Sequence, residues 1–176
     1  MASLEPTFHL ETINIHREHE ELIAQLDQLD AALDQIFCFA EIFTDLATAN
    51  QAMGRGKWLA EWLPKHYERE ETTVLATLAK MSPELSSFAR EMQRQHNEMR
   101  VRLENFREHL DHLHESRDLE NAVNELKQEG SHLTRMMRLH MAAEEKKFGG
   151  LENQSGFRVG IPGFERACLQ ACRNGR

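Results

Sequence analysis

Two short stretches, HYEREE at 66–71 and HMAAEE at 140–145, repeat one arrangement: a histidine, three residues, then a pair of glutamates. Imidazole and carboxylate are common ligands of iron, manganese and zinc. A histidine and a glutamate four apart share one face of a helix, one turn from each other. If that face is the buried one, each stretch carries two metal-ligating groups into the interior. Ten histidines in 176 residues supply further candidates.

The elements that must position these groups follow from the period of the apolar residues. In the first segment Ile15, Leu22, Leu26, Leu29, Leu33 and Ile36 recur at helical steps, and the slot between Ile15 and Leu22 is filled by His19. The second segment runs Leu59, Leu63, His66, Glu70, Val74, Leu78. The third runs Leu85, Phe88, Met92, His96, Met99, Leu103, Phe106, Leu110, Leu113, and the fourth Leu119, Val123, Leu126, Gly130, Leu133, Met137, His140, Glu144, Phe148. Each stripe is apolar except for one histidine, and on two of them the next slot is a glutamate.

Turn signals divide the helices. Ser82-Pro83-Glu84 starts the third, Ser116 or Asp118 caps the fourth, and Gly149-Gly150 is expected to stop it. Thr44-Asp45 is expected to turn the chain between the first two, with a break at Gly54 and Gly56, and Pro64 is expected to kink the second. On antiparallel neighbours two residues share a level when the turn lies midway between them. The midpoints of the pairs His19/His66, His66/His96 and His96/His140 fall beside Thr44-Asp45, Ser82-Pro83 and Asp118. All four histidines are therefore expected in one layer.

The expected fold is all-α: an up-down-up-down antiparallel four-helix bundle over 1–151, with a C-terminal extension at 152–176 forming a loop and a short helix. A hydrophobic content of 40% with 28% charged residues is that of a globular domain. The net charge of −8 argues against nucleic-acid binding, which requires clustered Lys and Arg. No apolar run is long enough for a membrane span and no signal peptide is evident, so a cytoplasmic setting is expected. Cys38, Cys168 and Cys172 do not make a disulfide framework, and Cys168 and Cys172, four apart, read as packed helical residues.

The expected metal ligands are His19, His66, Glu70, His96, His140 and Glu144. Two ions of roughly six positions each offer about twelve sites, of which four imidazoles and two bridging carboxylates fill about eight. A bridging oxo or hydroxo group takes about two more, leaving room for a small molecule. The Glu-x-x-His motif of ferritin-like bundles is absent: Leu63, Gln93 and Met137 stand three before His66, His96 and His140. His16 is the alternative to His19, and Glu145 the alternative to Glu144. Glu71 and Glu145 otherwise read as surface acids or as acceptors orienting a histidine. His9, His109, His112, His114 and His132 read as surface residues. Trp58, Trp62, Tyr67, Met136, Met137 and Met141 read as packing, and Gly130 as a close helix contact.

With these residues in place, the chain resembles the hemerythrin-like (HHE cation-binding) family over about 12–151. EHEELIAQLDQL around His19, HYEREETTVLATL with His66 and Glu70, HNEMRVRL with His96, and HMAAEEKKFGGL with His140 and Glu144 carry the resemblance. It implies a non-heme centre of two iron ions, in preference to manganese or zinc. It also implies binding of O₂, NO or peroxide, for sensing, detoxification or iron homeostasis. Oxygen carriers of the family add a histidine where this chain has Arg100; the chain is more similar to the regulatory and redox branch. Two alternatives are a peroxidase-like or NO-reducing redox enzyme, and an iron- or oxygen-responsive module that presents the 152–176 tail to a protein partner.

Overall fold

The computed structural model describes residues 6–38, 46–113, 116 and 118–155. They form α1 (Pro6–Cys38), α2 (Leu46–Thr72), α3 (Val74–Met81), α4 (Pro83–His112) and α5 (Leu119–Ser155), and no strand occurs among the described residues. The fold is an all-α four-helix bundle in which α2 and α3 are two segments of one rod. Across their junction the Thr73 N–H still donates to the Arg69 carbonyl at 3.0 Å, and the Thr77 N–H to the Thr73 carbonyl at 3.1 Å.

The junction falls at Thr73, not at Pro64 as expected. The hydroxyls of Thr72, Thr73 and Thr77 donate to the carbonyls of Glu68, Arg69 and Thr73 at 2.7, 2.6 and 2.8 Å. Such back-bonding by threonine competes with the helical ladder and bends it. Pro64 lies inside α2 on the exposed side, where solvent can serve the carbonyl that lacks an amide partner.

The expected caps are present. Ser82 Oγ accepts from the Leu85 N–H at 3.2 Å, ahead of Pro83 in the first helical position. Asp118 Oδ1 accepts from the Asn121 N–H at 3.1 Å. The expected stop at Gly149-Gly150 is absent. The helix passes through both to Ser155, and neither takes the positive φ of a helix-ending glycine. Gly54 and Gly56 likewise lie within α2 rather than breaking it. The Thr44-Asp45 turn and the tail from 156 onward, including Cys168 and Cys172, lie outside the described residues.

The chain divides into two compact units. The first comprises Met1–Ile23, His66–His96 and Met137–Arg176; the second comprises Ala24–Lys65 and Asn97–Met136. In the first, Phe8, Ile15, Val74, Leu75, Leu78, Leu85, Ala89, Met92 and Phe148 form one apolar cluster. There α4 and α5 run antiparallel: Glu84 pairs with Lys147 at 2.7 Å, and farther along α4 His96 meets His140 at 2.9 Å.

In the second unit the same two helices are opposed again, with Arg102 on Glu129 at 3.1 Å and His109 near Glu125 at 3.9 Å. Gly56 and Gly130 are close-packing residues here. A Cβ on Gly130 would stand 2.4 Å from Leu33 Cδ1 and 2.9 Å from Phe106 Cε2. Leu33 and Phe106 are buried, at 2% and 0% exposure, and have little room to yield. A Cβ on Gly54, by contrast, would meet nothing within 4 Å. Gly130→Ala should therefore cost about 1 kcal/mol net, overpacking outweighing the gain in helix propensity. Gly54→Ala should add up to about 1 kcal/mol. Urea unfolding of the two variants checks the opposite signs.

Candidate metal centre

All six expected ligands lie in the first unit and converge. His19, Glu70, His96 and Glu144 are at 0% exposure, His66 at 2% and His140 at 3%. α1 supplies His19, α2 His66 and Glu70, α4 His96, and α5 His140 and Glu144. Glu70 lies among three imidazoles: Oε1 is 3.3 Å from His19 Nε2 and 3.2 Å from His66 Nε2, and Oε2 is 3.2 Å from His96 Nε2. Glu144 Oε2 is 3.3 Å from His140 Nε2 and 3.5 Å from His19 Nε2. Two sets result. Ligand atoms of Glu70, His96, His140 and Glu144 lie within 4.8 Å of one another, as do those of His19, His66 and Glu70.

Every imidazole in this layer turns Nε2 inward, because Nδ1 is held from outside. The Nδ1–H of His19 donates to Glu145 Oε1 at 2.7 Å and that of His66 to Glu18 Oε2 at 2.8 Å. The Nδ1–H of His96 donates to Glu71 Oε1 at 2.8 Å and that of His140 to Gln95 Oε1 at 3.0 Å. A proton fixed on Nδ1 leaves the Nε2 lone pair free for a cation. Tyr67, 2% exposed, stacks on His96 with ring centroids 4.2 Å apart and closes that side against water.

The donors fit a cation. With both Nδ1 atoms donating outward, the Nε2 atoms of His96 and His140 meet at 2.9 Å, where two unprotonated lone pairs would repel and a proton or a metal ion is required. A positive charge between or beside them relieves that repulsion. Oε2 of Glu70 and both oxygens of Glu144 are buried without a geometrically sound hydrogen-bond donor among the described residues. Carboxylates held this way cost several kcal/mol each unless a charge compensates them.

The electrostatics of the metal-free layer reflect the same shortage of positive charge. Burial, with the neighbouring Glu144, pushes Glu70 up to about 8. Burial opposes ionisation of Glu144 too, but the charge of the adjoining His140 holds it down at about 2. Burial lowers His66 to about 4. His140 is raised: burial works against its charged form, and the attraction of Glu144 outweighs that.

A pH dependence follows. A group raised in the folded state contributes stability at low pH and loses it as pH rises through the folded value. Above pH 6.5 folded His66, lowered to about 4, is already neutral, Glu70 gives up its proton as pH approaches 8, and His140 loses its own above the value of a free histidine. The metal-free protein should thus become less stable from pH 6.5 to 8, Glu70 alone contributing about 2 kcal/mol. Thermal melts across that window, in chelator, give the sign.

Residues outside the layer sort clearly. His16, the alternative on α1, sits one turn from His19 and pairs with Glu145 Oε2 at 2.8 Å, so Glu145 bridges the two histidines. His109 belongs to the second unit, with its side chain 38% exposed. Trp58 and Trp62, also in the second unit, stack half-buried with centroids 5.1 Å apart. Glu18 and Gln95 were not among the expected residues. Their signal in the sequence is adjacency: each precedes a layer histidine, as Glu71 and Glu145 follow the layer glutamates. Glu18 is also held by Arg69, whose guanidinium contacts its Oε1. Among the described residues no helix is long and apolar enough to cross a membrane.

Neither curated proteins nor solved structures gave a match to this chain. A family model did: the hemerythrin HHE cation-binding domain matches residues 12–152, from α1 to the last turn of α5. The match takes in all four layer histidines and both buried glutamates. By that match over most of its length, the chain belongs to the hemerythrin HHE cation-binding family.

Proposed function

We propose that this protein is a non-heme di-iron protein that binds O₂, NO or peroxide inside the first unit, in sensing, detoxification or iron homeostasis. His19 and His66 would hold one ion, His96 and His140 the other, with Glu70 and Glu144 shared. One observation carries the reading: four Nε2 atoms face inward around two buried carboxylates, and Glu70 reaches three of the four. Two histidines and two shared carboxylates leave each six-coordinate ion open positions. Bound iron would supply a redox-active Lewis acid able to take a diatomic molecule or peroxide.

The chain's own part is orientation and exclusion of water. The outer acceptors set the imidazole tautomers, and Tyr67 shields His96. Absorption and Mössbauer spectra of reduced protein exposed in turn to O₂, NO and H₂O₂ test the proposal. A stable spectral change with at least one of the three supports it. Steady consumption of the ligand with an electron donor would instead identify a redox enzyme, and no change with any would count against the proposal.

A further inference from the structure

We infer that the four outer acceptors form a closed positioning ring, and that its one neutral member, Gln95, holds the cation position at His140 weaker than a carboxylate there would. The inference rests on the proposed two-cation reading.

The ring passes from helix to helix without a gap. Glu18 of α1 holds His66 of α2, and Glu71 of α2 holds His96 of α4. Gln95 of α4 holds His140 of α5, and Glu145 of α5 holds His19 of α1. Every helix that supplies a layer histidine also supplies the acceptor for the next one. Each acceptor is the chain neighbour of a layer residue, at 18/19, 70/71, 95/96 and 144/145. One side chain points in while the adjacent one, about 100° around the helix, reaches sideways to the neighbouring rod. Rotation of any helix would therefore disturb its own ligand and its neighbour's together.

Three links are carboxylates and one is an amide. The amide is oriented, because Gln95 Nε2 donates to Glu91 Oε1 at 2.8 Å. That leaves Gln95 Oε1 as the atom facing His140. Glu91 is itself pinned by Arg94 at 2.8 Å. Inside, the His96/His140 set counts both Glu70 and Glu144 and the His19/His66 set Glu70, so the effect of the outer acceptors is read by changing Gln95 while the inner donors stay as they are. His19 and His66 are both backed by carboxylates. On the other side His96 has Glu71, and His140 has only a neutral oxygen. A charged acceptor makes the stronger hydrogen bond and the more basic imidazole. A carboxylate in place of the Gln95 amide should accordingly strengthen the His96/His140 position.

Anaerobic calorimetric titration of metal-free protein with ferrous iron tests this, together with ¹⁵N spectra of the histidines. Gln95→Glu should tighten one of the two binding steps about tenfold and leave the other in place. Gln95→Leu should loosen the step that Gln95→Glu tightens by about 10- to 100-fold and turn the single Nδ1–H tautomer of His140 into a mixture. Gln93→Glu makes the same chemical change on the exposed side of α4, and should shift neither step. No tightening in Gln95→Glu, an unmixed tautomer in Gln95→Leu, or equal tightening by Gln93→Glu would overturn the inference alone. Wild type binding no iron would overturn the function proposed above as well.

Discussion

Glu70→Met should invert the order of stability between iron-free and iron-loaded protein. Without iron, the wild type buries a carboxyl at 0% exposure whose proton is held up to about 8 by burial and by Glu144. An unbranched thioether of similar volume removes that polar group and leaves little cavity. Replacing a buried ionic network by packed apolar residues is often neutral, or stabilising by about 1–4 kcal/mol, and a Glu70 that keeps its proton leaves no unpaired charge behind when it is removed. The iron-free variant should therefore melt at or above wild type. With iron the balance reverses, because Glu70 reaches three of the four Nε2 atoms and its loss should cripple both positions. At a free ion concentration of about a thousand times Kd, binding stabilises wild type by about 4 kcal/mol, and the variant should gain almost none. Melting curves with and without ferrous iron show the crossing. An iron-free variant destabilised by about 3–5 kcal/mol would instead mark the layer as a structural polar network.

His66→Ala and His140→Ala should each lose at least one equivalent of metal and lower the melting temperature of the loaded protein by about 10 °C. Each truncation removes a proposed ligand whose other nitrogen is tethered, to Glu18 and Gln95 respectively, and leaves that acceptor facing a buried gap. His109→Ala should do neither, since its side chain is 38% exposed and only 3.9 Å from Glu125. Metal content and melting temperature of the three variants decide the point. Equal loss in all three would refute the assignment, because His109 lies in the other unit.

Much of this was legible in the sequence because the layer residues occupy seam positions. His19, His66, His96 and His140 each fill a slot in an apolar stripe, and the stripe alone places them inside. Glu144 could be separated from Glu145 in the same way: 144 continues the step from His140, and it is fully buried while Glu145 is half-buried. Half of the ring was legible, since Glu71 and Glu145 read as surface acids or as acceptors orienting a histidine; the other half was not. Glu18 and Gln95 act across to other helices, and one helix's period says nothing about the rotation of its neighbour. Nor could Pro64 and Thr73 be ranked as break points. Proline is the stronger breaker in isolation, yet here it faces solvent, and three threonine hydroxyls loosen the ladder farther on. Gly149 and Gly150 show the same limit, since a glycine ends a helix only where the chain turns away.

One layer of four imidazoles and two carboxylates is proposed to hold a pair of iron ions. Elemental analysis of freshly isolated protein, isolated anaerobically and quantified per chain, addresses it most directly. About two iron atoms per chain, lost together in Glu70→Met, is the predicted result. A chain that carries no metal, or a single ion left in place by that substitution, would contradict it.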